Sequence, residues 1–379
     1  MMKRLYWLLS VLLLTALITA ACQTTVPPTG DIPEPGEQIE PVGEVSEIPE
    51  GYVDTSMYRK DAPYTFCFSN STTSNSWRVS MVAHLRNEVR LNPDIVAYYE
   101  TDAENNPVKQ VQDILDLVDQ DCDVLLVSAS VPAALTSVIV RVMNSNIPVV
   151  TVDTNISGDR YISFVEQNGC ETAKMQADWL VNRLGGAGRV VLLAGLEGNL
   201  KAEQRLQCAR ETFETAGIEI LAEAFTGWSS VTGEQIVGAL LAAHGSIDGI
   251  WADSGRQASG AVEAFQNAGL PVPPITGEDY NGFLKKWKEL GFDGYAVSSS
   301  VNMGAEAVKV AFDILQGNPV PSYVSVEPQV ITAENLDQFV CSDLPDDYWA
   351  ASLPEVTDEL LRTGNCSLSR VEGASQEQD

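Results

Sequence analysis

Residues 121–153 read DCDVLLVSASVPAALTSVIVRVMNSNIPVVTVD, and this stretch decides the fold. It holds two short, β-branched apolar runs at 124–127 and 147–152, separated by a helix-like segment at 132–144. Apolar runs joined by a short helix are typical of parallel strands that are buried on both faces. Ligands of open parallel sheets bind beyond the carboxyl ends of the strands. Asp153 stands at such an end, so we expect it to face a binding cleft.

The same strand–helix unit repeats on either side of this stretch. One alternating series runs from Tyr64 to Asp153, and a second runs from about Glu171 to Gly277. This alternation predicts an α/β fold with two doubly wound, Rossmann-like lobes. A later segment, with short strands near Val324 and Val330, can return to either lobe and predicts a multi-strand hinge. The predicted ranges are 62–166 with 299–326 for the first lobe, 167–298 with 327–340 for the second, and 341–379 for a C-terminal extension and tail.

The N-terminal residues predict export. Residues 1–22 combine Lys3 and Arg4 with an apolar run that ends in Ala20-Ala21-Cys22. This ending resembles the lipobox of bacterial lipoproteins, which implies lipidation of Cys22 and anchoring at the cell surface or in the periplasm. Thr19 stands where that family usually has Leu, and a short transmembrane anchor is the alternative. Residues 23–61 are rich in proline and acids, which predicts a disordered tether.

The composition excludes several classes of function. The chain has 52 acidic and 23 basic residues, a net charge of −29. Such a charge opposes nucleic-acid binding, because phosphates must be met by Lys and Arg. There are only two histidines and no clustered Cys/His pattern, so we predict neither a metal site nor a cofactor.

Several short motifs, taken in order, resemble the periplasmic monosaccharide-binding proteins of ABC importers, the type I ribose- and galactose-binding group. The resemblance runs from about Tyr64 to Val330. It is carried by these segments: Asn75-Ser76-Trp77-Arg78, Pro148 to Asp153, Arg205 followed by Gly217-Ile218-Glu219-Ile220-Leu221, Trp228 after Gly227, and Thr276-Gly277-Glu278-Asp279. The implied fold is that of a type I periplasmic binding protein, whose two lobes close on a sugar.

The resemblance implies a set of ligand-binding residues. Carboxylates and guanidinium groups suit sugar hydroxyls, which both donate and accept hydrogen bonds, and aromatic rings cover the apolar sugar faces. The chain departs from the family at Thr154, Ser254, Gly255 and Ser298, which leaves the identity of the sugar open. The predicted binding residues are Asn75, Trp77, Arg78, Asp153, Arg205, Trp228, Ser254, Asp279 and Ser298.

Six cysteines follow Cys22, and an exported domain can pair them in fifteen ways. We predict a disulfide between Cys341 and Cys366, which would staple the irregular C-terminal stretch. Cys67 and Cys122 lie on or beside strands of one lobe and are either paired or buried thiols.

We therefore expect a monomeric, lipid-anchored binding protein that captures a monosaccharide or a related small polyol and delivers it to an ABC transporter permease. The alternative is a sugar-sensing domain for a membrane receptor or kinase. A glycoside-acting enzyme is a further alternative, but the sequence shows neither a nucleophile–base pair nor a barrel that would host one. We predict that the protein is not an enzyme.

Overall fold

The computed structural model describes residues 48–350. The strands in this range are β1 Tyr52–Val53, β2 Tyr64–Asn70, β3 Ile95–Asp102, β4 Val124–Val127, β5 Val149–Val152, β6 Ser163–Glu166, β7 Arg189–Ala194, β8 Glu219–Phe225, β9 Gly249–Ala252, β10 Ile275–Glu278, β11 Gly294–Val297, β12 Val320–Pro321, β13 Tyr323–Ser325 and β14 Val330–Ile331. The α-helices are α1 Ser76–Leu91, α2 Pro107–Val118, α3 Pro132–Asn144, α4 Gly169–Arg183, α5 Leu200–Ala216, α6 Ser230–His244, α7 Gly255–Ala268, α8 Asn281–Leu290 and α9 Met303–Gln316.

Two six-stranded sheets organise the described residues. The first has the strand order β13-β6-β5-β4-β2-β3 with all its strands parallel, and it defines the first lobe. The second has the order β14-β11-β10-β9-β7-β8, in which only β14 is antiparallel to its neighbour, and it defines the second lobe. Helices cover the sheets of both lobes. The predicted two-lobed α/β fold is confirmed.

The central strands are buried on both faces, as their apolar sequences predict. In β4, Leu126 belongs to one apolar cluster of the first lobe and Leu125 to another, and both side chains are fully buried. In the second lobe, Leu193 and Leu192 of β7 divide between two clusters in the same way. Because successive side chains alternate across a strand, each sheet separates two apolar layers.

Three chain crossings join the two sheets within residues 48–350. They lie between β6 and α4, between β11 and α9, and between β13 and β14. Gln167 in the first crossing donates to the carbonyl of Ser298 in the second, at 2.7 Å. The Ser298 N–H donates to the Gln329 carbonyl in the third crossing, at 2.8 Å, and the Gln329 N–H donates back to Ser298 Oγ. These bonds tie the three crossings into one hinge.

Residues 48–61 differ from the tether predicted for them. They include β1, which pairs with β12, and a 3₁₀ turn at Ser56–Tyr58. Tyr58 is buried in the apolar cluster of the first lobe, and Thr55 Oγ1 donates to the Asn318 carbonyl at 2.5 Å. The buried Tyr58 ring and the Thr55 hydrogen bond therefore attach this part of the predicted tether to the first lobe. The predicted signal peptide, Cys22 and the rest of the tether lie outside the described residues.

Candidate functional site

A cavity of about 490 Å³ lies between the lobes, where strand ends of both sheets face each other. The side of the first lobe is formed by the first turn of α1 and by the loops after β2, β4 and β5. The side of the second lobe is formed by the segments that precede α5, α6 and α7, by the N-terminal parts of α5 and α7, and by the end of β10. The lining residues are Ser71, Thr72, Ser74, Asn75, Trp77, Arg78, Asn105, Ala129, Ser130, Asp153, Thr154, Leu196, Asn199, Lys201, Arg205, Gly227, Trp228, Ser229, Ser254, Arg256, Glu278, Ser299 and Trp349.

Arg78 and Asp153 form a buried ion pair on the first lobe. Arg78 Nη2 lies 2.5 Å from Asp153 Oδ2, and Arg78 Nη1 donates to Ser128 Oγ at 2.7 Å. Asp153 has a φ of 62°, in the left-handed region that costs energy for a residue with a side chain and is frequent at functional sites. Burial alone would raise the pKa of Asp153, but the Lys201 ammonium and the Arg78 guanidinium outweigh burial and hold that pKa well below its usual range. Asp153 is therefore a carboxylate at neutral pH.

The start of α1 presents polar and aromatic groups to the cavity. Asn75 caps the helix by accepting from the Arg78 N–H at 2.8 Å. The Arg78 guanidinium lies 5.1 Å from the Trp77 ring centroid, in a cation–π contact. Trp77 packs against the apolar clusters of both lobes. This residue therefore lines the cavity and also contributes to the contact between the lobes.

Arg205 organises the side of the second lobe. Its Nη1 lies 3.2 Å from Glu278 Oε1 and 3.4 Å from the Asp253 carbonyl oxygen. The Asp253 carboxylate accepts from the Gly195 N–H at 3.0 Å and from the Gln257 side chain. Burial raises the pKa of Asp253 to about 7, although Arg205 acts in the opposite direction. Burial also raises the pKa of Glu278.

Trp228 reaches the cavity from a strained turn. Gly227 and Trp228 both have positive φ, at 63° and 53°. The indole packs directly over Gly195, where an added Cβ would lie 2.1 Å from the ring. A glycine at position 195 is therefore required for Trp228 to hold this position.

Ser254 and Arg256 mark the start of α7. Ser254 Oγ accepts from the Arg256 N–H at 3.4 Å and caps the helix. The Arg256 guanidinium lies 5.8 Å from the Tyr280 ring centroid and 3.7 Å from an Asp347 carboxylate oxygen. Both Ser254 and Arg256 line the cavity.

Two predicted binding residues lie off the cavity. Asp279 is fully buried, and its Oδ1 accepts from the Ser299 N–H at 2.7 Å, whereas the preceding residue, Glu278, lines the cavity. A shift of one residue at a strand end reverses the side to which a side chain points. Ser298 lies in the hinge and bonds to Gln329, whereas its neighbour Ser299 lines the cavity. The structure thus brings together Asn75, Trp77, Arg78, Asp153, Arg205, Trp228 and Ser254, but it places Asp279 and Ser298 outside this group.

The sequence reasoning missed four charged or aromatic cavity residues: Lys201, Arg256, Glu278 and Trp349. Asn199, an N-cap placed two residues before Lys201, could have signalled that this lysine stands at a helix start beside strand ends. Trp349 lies beyond the stretch that carried the family resemblance, and no motif pointed to it.

Two disulfides are present among the described residues. Cys67 pairs with Cys122, with Cα atoms 5.9 Å apart, and Cys170 pairs with Cys208, with Cα atoms 5.4 Å apart. The first bridge joins β2 to the segment just before β4, and the second joins α4 to α5. Cys366 lies outside the described residues, so its pairing with Cys341 stays a prediction.

No metal-binding group of three or more His, Cys, Asp or Glu side chains occurs between residues 48 and 350. In the same part of the chain, none of the helices combines the length and apolar character needed to cross a membrane.

Residues 66–319 match a family model described as the periplasmic binding protein domain. The ribose import binding protein of Escherichia coli is 23% identical over 269 residues, which cover 70% of this chain and 89% of that protein. The ribose import binding protein of Bacillus subtilis is 23% identical over 262 residues, covering 69% and 85%. Since the family model matches well over half of the chain, this protein belongs to the periplasmic binding protein family.

Solved structures share the fold. A solute-binding protein of an ABC transporter from Bacillus halodurans, with bound myo-inositol, aligns with a TM-score of 0.67 and 19% identity over 74% of this chain and 98% of that one. The fructose-binding periplasmic domain of a hybrid two-component system aligns with a TM-score of 0.64 and 24% identity over 72% and 92%. At these identities the likeness shows the fold alone, which is the predicted type I periplasmic binding protein fold.

Family membership bears on two expectations, the absence of enzymatic activity and the location of the protein. The curated relatives are described as binding proteins, and this confirms that the protein is not an enzyme. Membership of a periplasmic family confirms a location outside the cytoplasm.

Proposed function

We propose that this protein is a lipid-anchored, monomeric solute-binding protein that holds a small sugar or polyol between its lobes and delivers it to an ABC transporter permease. The observation that carries the proposal is the cavity of about 490 Å³, which charged and aromatic side chains of both lobes line together. Its volume is in the range of small-molecule sites. A ligand that touches both lobes favours the state in which they are closed.

The chemistry of the lining supports a polyhydroxylated ligand. Asp153 and Glu278 supply carboxylate acceptors, and Arg78 and Arg205 supply planar donors. The Nε atom of Arg205 and the Nε1 atom of Trp77 are buried donors with no hydrogen-bond partner in the described part of the chain. Donors without a partner are costly to bury, and a ligand oxygen that reaches them when the lobes move would remove this cost. The rings of Trp77 and Trp228 suit the C–H faces of a sugar.

The relatives support the same class of ligand. Besides the ribose import binding proteins, a xylitol-binding protein of Mycolicibacterium smegmatis is 22% identical over 278 residues. Several of the curated relatives are described as import binding proteins, which favours a role in transport over a role in sensing. The lipid anchor rests on the sequence around Cys22 alone.

Binding is tested by isothermal calorimetry of the full chain against pentoses, hexoses, polyols and nucleosides. We expect one or a few neutral sugars or polyols to bind with micromolar affinity or better. Glu278→Gln should weaken this binding strongly, whereas Glu263→Gln, the same change at a position of α7 that does not line the cavity, should not. A panel without any binder, or hydrolysis of a glycoside, would contradict the proposal. Metabolic labelling of Cys22 with a palmitate analogue, compared with Cys22→Ala, tests the anchor.

A further inference from the structure

Residues 341–350, which we name the C-terminal strap, are fixed to the second lobe by a dense set of hydrogen bonds. Asn281 Nδ2 donates to the carbonyl oxygens of Cys341, Leu344 and Pro345, at 2.8, 3.2 and 3.0 Å. The Cys341 N–H donates to Asn281 Oδ1 at 3.0 Å. Backbone N–H groups of Asn281 and Ala350 bond to Tyr348 and Asp279, and Tyr280 forms a β-bridge with Trp349.

The end of the strap reaches the first lobe. Trp349 Nε1 donates to Ser76 Oγ, at 3.0 Å, and Ser76 is the first residue of α1. The Trp349 ring meets Tyr280 edge-on, with centroids 5.7 Å apart, and it belongs to the apolar cluster against which Trp77 of the first lobe packs. Trp349 is 3% exposed. Its side chain therefore bridges the second lobe and the helix that carries Asn75, Trp77 and Arg78.

Trp349 also lines the cavity. Its ring stands between the α1 side of the cavity and the Arg256–Tyr280 side. The family model ends at residue 319, before the strap begins. This wall of the cavity is therefore built by a part of the chain outside the family match.

We propose that Trp349 is a specificity-determining binding residue, whose indole closes one end of the cavity and is positioned by its hydrogen bond to Ser76. This inference rests on the proposed function, because it assigns a role in the same cavity. A rigid aromatic wall selects ligands by size and by the presence of an apolar face. Loss of the ring should open the cavity towards α1 and admit larger ligands.

The test compares affinities of full-chain variants for the best-binding sugar or polyol and for disaccharides that contain it. Trp349→Ala should weaken binding of the small ligand at least tenfold and reduce the preference over the larger ligands. Trp349→Phe keeps most of the ring and removes the N–H, so it should weaken binding less than Trp349→Ala does, by at most about fivefold, the usual value of one neutral hydrogen bond. Ser76→Ala removes the acceptor and should have a similar effect. Trp179→Phe is the control, because Trp179 stacks on Tyr295 and does not line the cavity.

Affinities within twofold of wild type in Trp349→Ala, or an equal loss for every ligand, would overturn the proposal. Trp349→Phe keeps the test valid if Trp349→Ala does not fold.

A measurement without ligand separates failure of this inference from failure of the proposed function. Hydrogen exchange at residues 76–80 should become faster in both Trp349→Phe and Ser76→Ala, and not in Trp179→Phe. If the wild type binds no sugar, the proposed function fails, whereas unchanged exchange would overturn the role of the strap whatever the ligand.

Discussion

Lys201 of the second lobe and Asp153 of the first lobe form an ion pair across the cleft, with Nζ 3.2 Å from Oδ1. The same ammonium lies 3.0 Å from Glu166 Oε2, also on the first lobe. All three side chains are mostly buried, so solvent screens these interactions less than it screens surface pairs. Lys201, at the start of α5, therefore links the second lobe to two carboxylates of the first lobe.

We expect Lys201→Met to favour an open arrangement of the lobes in the ligand-free protein, because it removes both of these ion pairs. Small-angle X-ray scattering should then show a larger radius of gyration than in wild type. Lys174→Met makes the same change of charge on an exposed position of α4 and should leave the radius unchanged. Equal radii for both variants would mean that Lys201 does not hold the lobes together.

Asp153→Asn should weaken ligand binding about a hundredfold with little loss of secondary structure. The substitution removes the charge from an acceptor that Arg78 and Lys201 orient towards the cavity, and a hydrogen bond to a charged group contributes about 1.5–3 kcal/mol. Calorimetry with the best ligand of the panel measures the effect. Asp159→Asn, on the exposed loop that follows, is the matched control; a similar loss in both variants would refute a direct contact.

The fold was predictable because its signals are local and repeated. The helix predicted at 132–144 and the strand predicted at 124–127 have the same bounds in the structure. Strand β6, Ser163–Glu166, was missed, since four residues with only two apolar side chains give no clear pattern. The interaction that fixes β6, parallel pairing with β5 and β13, is set by the whole sheet.

The site was predictable in outline and not in detail. Asp153 was predicted from its position at a strand end, and Arg205 from the family resemblance. The choice between Glu278 and Asp279 depends on the pleat of β10, which a short motif leaves open. Lys201 reaches the site through a contact between lobes, which no local pattern encodes. The position of Trp349 depends on the strap, and the strap is held by hydrogen bonds to Asn281, which lies 68 residues before Trp349 in the sequence.

Glu278→Gln and Asp279→Asn should have different effects. The Glu278 carboxylate faces the cavity and Arg205, so its substitution should reduce affinity strongly. Asp279 supports the backbone of Ser299, so its substitution should mainly lower the melting temperature of the ligand-free protein. Calorimetry and thermal unfolding on both variants give the comparison, and a larger loss of affinity in Asp279→Asn would reverse our assignment.

Loss of either observed disulfide should destabilise the protein. The bridges close segments with sequence separations of 55 and 38 residues, for which the chain-entropy model gives about 4 kcal/mol each. Cys170→Ala with Cys208→Ala should therefore lower the urea midpoint of unfolding, and so should Cys67→Ala with Cys122→Ala. Adding dithiothreitol should lower the midpoint of wild type further than that of either double variant. Midpoints that do not respond would mean that the thiols are unpaired in solution.

Stability should depend on pH through Asp253. Its pKa is raised from 3.8 to about 7 by burial, with Arg205 lowering it and Glu278 raising it further. Between these two pH values the folded protein holds a proton that the unfolded chain has lost, so the contribution of Asp253 to stability falls as the pH rises from about 4 to about 7.

Asp253→Asn cannot lose a proton, and its amide oxygen can still accept from the Gly195 N–H. The melting temperature of Asp253→Asn relative to wild type should therefore be higher at pH 8 than at pH 5. Asp178→Asn, on an exposed position of α4, supplies the baseline, and a relative melting temperature that stays the same between pH 5 and pH 8 would show that Asp253 is already ionised in the folded protein at pH 5.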